Sequence, residues 1–182
     1  MQLPILTRFR RRMTLAFTRK PNYPVPKFDS IGAMLEFINW GNEYVPDPWN
    51  GKRDPMFHPT HSVKRIMTGD KTMSFDCDDH AALWCAMLMK SGLATSVDIG
   101  SFGMENKTTG ERSYHAICLF TGTDGKKYWI DYGMPMEYTK DWEWAHQSAR
   151  VFGEEAFEAT IYHIRKMRND SPVFGEYETA DL

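Results

Sequence analysis

The sequence has no long apolar run. Its longest, Ala81 to Met89, is nine residues, whereas a bilayer span needs roughly 20. No membrane span is expected, and no secretory apolar segment follows Met1. Cysteine is scarce, with three in 182 residues. That odd, sparse count does not build a disulfide framework. It points to free thiols, a reducing compartment and a cytoplasmic location. Internal repeats and low-complexity tracts are missing. So are the metal signatures HExxH and paired CxxC, and no Lys-Ser/Thr follows Gly100, Gly103 or Gly110 to make a phosphate loop. Acids are absent from residues 1–28, which hold seven bases.

What is present is globular in composition: 42% hydrophobic, 14% aromatic and 25% charged. Wholesale disorder is excluded, and the length suits one domain with arms. The net charge of −2 divides unevenly, since residues 29–182 hold 15 bases against 24 acids. A basic arm therefore precedes an acidic body. The arm could meet nucleic acid or another anionic surface, or lie on its own domain. Its Arg-rich start also has the composition of a transit peptide, against which Pro4 and Pro21 stand. Three segments are expected: a basic arm and Pro-rich linker over 1–28, a domain over 29–169, and a loose acidic tail over 170–182.

Within the domain, Ser30 can cap a helix carrying Ile31, Met34, Leu35 and Ile38 on one face. Prolines 46, 48, 55 and 59 mark an irregular loop. A short helix is expected over Thr60 to Thr68. Residues 77–90 are apolar nearly all round, as in a buried central helix, and Lys90-Ser91-Gly92 suits its end. Strands are expected at Ala94 to Phe102, Ser113 to Phe120, Lys126 to Tyr132 and Phe157 to Lys166, with a helix over Thr139 to Val151. This order predicts an α+β fold, with helices packed on an antiparallel sheet.

The chemistry concentrates at Asp76-Cys77-Asp78-Asp79-His80. With Asp76 as N-cap, Cys77 opens the helix, where unpaired N–H groups favour an anion and can receive an acyl oxyanion. Asp78 or Asp79 at about 6 Å would oppose a thiolate by roughly 3 kcal/mol at an effective dielectric of 20. The helix end returns only about 0.3–1 kcal/mol. A reactive thiolate here needs a cation, and histidine is the usual one. Tyr114-His115-Ala116 and Trp129-Ile130-Asp131 flank a Thr-Gly-Thr-Asp-Gly turn. Centring that turn on Thr123 sets His115 directly across from Asp131, close enough for a carboxylate to orient the imidazole.

A helix-terminal Cys, a strand His and an Asp on the next strand resemble the transglutaminase-like cysteine peptidase superfamily. Cys-Asp-Asp-His-Ala is especially similar to bacterial and phage members, and the likeness covers about residues 54–132. It implies a papain-like core, a central helix packed on an antiparallel sheet. It also implies Cys77 as nucleophile, His115 as general base and acid, and Asp131 as orienting carboxylate. Phe75 stands where the motif usually has Gly, and Tyr132 where Pro is common. Trp49 is nominated as oxyanion donor. Tyr44 is a second candidate, since it too can donate a hydrogen bond, and Phe57 cannot. Asp79 is kept as a supporting carboxylate, while His80 reads as structural or substrate-adjacent.

Three functions stay open. The first is a peptidase or amidase acting on a protein or peptide through a thioester, with an acyltransferase to lysine as its variant; no cofactor is expected. The second is a silent binding module on the same scaffold. The third is a metal hydrolase using His58 and His61 with Asp76 or His80. Cys85, mid-helix among apolar residues, and Cys118, facing away from His115 by strand alternation, read as inert core thiols.

Overall fold

A computed structural model describes residues 23–40, 45, 58–73, 75–151, 157–166 and 177–181. The fold is α+β, with helices packed on an antiparallel sheet. Helix α1 (Ile31–Trp40) starts where Ser30 Oγ accepts the Ala33 N–H at 3.2 Å, and it buries Met34 and Ile38. Helix α2 spans Pro59–Thr68, and helix α3 spans Cys77–Ser91. The strands are β1 (Ala94–Asn106), β2 (Arg112–Gly122), β3 (Lys127–Ile130), β4 (Met136–Tyr138), β5 (Phe157–Lys166) and β6 (Tyr177–Asp181). Helix α4 (Glu143–Val151) lies between β4 and β5 in the chain. The sheet order is β4-β3-β2-β1-β5-β6, all neighbours antiparallel.

Alternation along the strands builds two cores. Val97 and Ile99 of β1, Ala116, Cys118 and Phe120 of β2, and Ile130 of β3 pack with α1, α2 and α3. Phe102 and Met104, Ile117 and Leu119, and Trp129 pack on the other face with Trp144, Ala145 and Ala149 of α4. Helix α3 is the centre of the first core: Ala81 through Leu88 are at most 1% exposed. It stops at Gly92, whose φ of +70° is left-handed, with Leu93 N–H bonding the Leu88 carbonyl at 3.1 Å.

Three local expectations are revised. The hairpin turn centres on Asp124, not Thr123. Gly122 N–H meets the Lys126 carbonyl at 2.9 Å, and Gly125 takes φ +80°. Asp124 selects this loop by accepting the Lys126 N–H at 3.0 Å and the Tyr128 hydroxyl at 2.6 Å. The pairs are therefore Cys118↔Ile130 and Phe120↔Tyr128, a slip of two residues from the expected register. A slip of two keeps every side chain on its face, so His115 and Asp131 become diagonal rather than direct neighbours. Next, residues 136–138 form β4, and helix α4 begins only at Glu143. Glu143 Oε2 accepts the Thr139 N–H at 2.8 Å and holds that entry. Finally, part of the expected loose tail is strand β6, paired with β5. The end of the Pro-rich linker packs on the domain: Val25 is buried, and Phe28 N–H bonds Ser91 Oγ at 2.9 Å. Residues 1–22 lie outside the described residues. Among the described residues, no helix is long and apolar enough to cross a membrane.

Gly100 shows how closely α4 seats on the sheet. A Cβ there would come within 2.8 Å of Trp144 Cη2 and 2.9 Å of Leu119 Cδ1. Both neighbours are buried, so relief requires repacking. Gly100→Ala is expected to cost about 1–3 kcal/mol, read as a lowered urea midpoint with an unchanged slope.

Candidate active site

Strand β3 stops at Ile130. Its ladder with β2 reaches only to Cys118, so β3 does not cover the edge of β2 at His115 and Ala116. The N-terminus of α3 meets the chain there. Asp76 stands at the N-cap in extended conformation and makes no side-chain cap bond. The Cys77 thiol is half-buried, and the backbone N–H of Ala116 acts to lower its pKa. On the adjoining residue, His115 Nε2 lies 2.7 Å from Asp131 Oδ2, with both side chains buried. A carboxylate only accepts, so Nε2 carries the proton and Nδ1 is left as the basic nitrogen. His115 and Asp131 are thus brought together, and the Asp131 carboxylate acts on the Cys77 thiol, raising its pKa.

The thiol is held in its protonated form. Burial is the main cause, followed by the negative charges of Asp78 and Asp76, and then Asp131. The Ala116 N–H works the other way, and loses.

Tyr132 lies beside the pair. Its ring lies 6.2 Å from the His115 ring and 4.5 Å from the His80 ring, centroid to centroid, and it is 36% exposed. His80 is 2% exposed and sits among Phe75, Trp84 and Tyr132. Burial first, and His115 second, push its pKa down to about 3. Phe75 is fixed from outside the helix. It pairs with Val45 through an isolated antiparallel bridge, and the Arg65 guanidinium lies 4.8 Å over its ring. In the first turn of α3, Asp79 is buried at 1% exposure.

Other candidates fare differently. Trp49 lies outside the described residues, as do Tyr44 and Phe57. His58 is the N-cap of α2: its Nδ1 takes the Thr60 N–H at 3.3 Å, ahead of Pro59 in the first turn. Among the described residues, the side chains grouped closely enough to share an ion are Asp76, Asp78 and Asp79, with oxygens within 4.8 Å of one another. That group does not include His58 or His61, so the histidine-based ligand set proposed for a metal hydrolase is not assembled. Two features escaped the sequence. The influence of the Ala116 N–H on the thiol depends on where β3 ends. The Tyr132 contact could have been suspected only from its place beside Asp131.

No protein-family model matches this chain, and no curated protein matches its sequence.

Proposed function

We propose that the chain is a thiol hydrolase, a peptidase or amidase built on a papain-like, transglutaminase-like core. The buried His115–Asp131 pair at 2.7 Å, next to Ala116, whose N–H favours ionisation of Cys77, carries this reading. Asp131 holds the Nε2 proton and turns Nδ1 into the base. Because the resting thiol keeps its proton, His115 takes it as sulfur attacks the amide carbonyl. The carbonyl oxygen becomes an oxyanion at the uncapped first turn of α3. His115 then returns the proton to the departing amine as the C–N bond breaks, leaving a thioester on Cys77. Water, activated by the same imidazole, releases the acid. A lysine amine in place of water would give acyl transfer from the same intermediate.

One observation favours a second reading, a binding module without turnover: burial and three carboxylates oppose ionisation of the thiol. Acyl trapping separates the two. p-Nitrophenyl acetate is expected to place one acetyl group on Cys77, visible by intact mass and removed by neutral hydroxylamine, with release of nitrophenol continuing through many turnovers. Absence of the adduct, or equal labelling of all three cysteines, would leave the scaffold reading.

The charge balance at the thiol has its own test. Asp78 is the strongest carboxylate acting on Cys77, so Asp78→Asn lowers the thiol pKa and raises the thiolate fraction at fixed pH. Iodoacetamide should then alkylate Cys77 about tenfold faster at pH 8, the effect of about one pKa unit. An unchanged rate would mean that Asp78 does not face the sulfur.

A further inference from the structure

The two cysteines outside the site lie against each other. Cys85, in the middle of α3, places its Sγ 3.3 Å from Sγ of Cys118 on β2. Both are 0% exposed, and both are free thiols. Cys85 Sγ also reaches the Asp98 carbonyl at 3.4 Å, which fixes it on the sheet side of the helix. Two sulfurs in van der Waals contact across a helix–sheet seam, 33 residues apart in the chain, need only a small further approach to bond.

We propose that Cys85 and Cys118 are an oxidation site, joined by peroxide into a buried disulfide that pins α3 to β2. One sulfur attacks the peroxide O–O bond and becomes a sulfenic acid, and the first water leaves. The second sulfur displaces the hydroxyl of that sulfenic acid as a second water. Two protons and two electrons leave the thiols, and hydrogen peroxide takes up both. The bond would close a ring between the helix that begins at Cys77 and the strand that carries His115. It does not depend on the hydrolase reading.

Burial and the neighbouring thiol hold the Cys118 proton in place, so attack requires the seam to open. The reaction is therefore expected to be slow in buffer and faster in mild urea. The full chain carrying Cys77→Ala removes the accessible thiol and isolates the pair. After hydrogen peroxide, its intact mass should fall by two hydrogen atoms, and no thiol should react with maleimide once the chain is unfolded. An unreduced tryptic digest should contain one species joining residues 72–90 to 113–126. Dithiothreitol should reverse all of this, and the oxidised chain should melt several degrees higher because the ring constrains the unfolded chain. Free thiols recovered after unfolding, or sulfinic and sulfonic acids without the joined peptide, would overturn the site. A joined chain that melts lower would overturn the pin.

Discussion

Cys77→Ala is expected to remove all acylation and turnover while leaving the fold close to intact. Alanine suits the first turn of a helix, and Cys77 is half-buried rather than a core residue. His115→Ala should keep the thiol but lower the acylation rate by about a thousandfold, the usual weight of a positioned base. Asp131→Ala should fall less, on the order of a hundredfold. Two effects oppose each other there. Without the carboxylate the ring loses its fixed tautomer. At the same time one of the charges that keeps the thiol protonated disappears. Rates come from stopped nitrophenol release, and folding is checked by thermal melts on the same samples. Small, equal losses in all three variants would place the chemistry elsewhere.

Much of this arrangement could be read from local chemistry. The limits of α3 follow from an apolar run bounded by acids at one end and Lys90-Ser91-Gly92 at the other, and the helix spans Cys77–Ser91. Cys118 was placed away from His115 by alternation alone, and it sits in the α3 core while Ile117 and Leu119 sit in the other. The sequence predicts the His115–Asp131 contact through a register that the structure moves by two. It survived because an even slip preserves the face, where a slip of one would have destroyed it. What was not legible depends on distant partners. Tyr177-Glu178-Thr179-Ala180-Asp181 has little apolar signal, and it becomes β6 only because β5 offers an edge. Short β4 ends at Tyr138, and the segment that reads as a helix from Thr139 becomes helical only at Glu143, whose carboxylate accepts the Thr139 and Lys140 N–H groups at 2.8 and 3.3 Å. The contact between Cys85 and Cys118 needs both the helix phase and the strand register, and neither residue's neighbours in sequence reveal it.

The second large effect concerns acid stability and rests on His80. Its imidazole is 2% exposed, and among the described residues its Nε2 has no hydrogen-bond partner. Burial first, and His115 second, push its pKa from 6.5 to about 3. In the unfolded chain the same ring takes a proton near pH 6.5. Between those values the unfolded state binds more protons than the folded one, so the free energy of unfolding rises with pH. Stability is therefore present above about 6.5 and is lost as pH falls towards about 3. The slope from this one residue cannot exceed about 1.4 kcal/mol per pH unit, so acidification from neutral by two units below the histidine's ordinary range removes on the order of 2–3 kcal/mol. His80→Gln keeps a neutral polar group and abolishes the titration. At pH 7.5 it should be less stable by about 1–2 kcal/mol, because the packing against Phe75, Trp84 and Tyr132 is poorer. At pH 4.5 the difference should vanish or change sign. Urea titrations of both chains across that range measure it. Carboxylate protonation acts on both chains alike, so the difference between them isolates the imidazole. A gap that stays constant with pH would mean that His80 carries its proton inside the fold, and that its neighbours are not the apolar wall that holds it neutral.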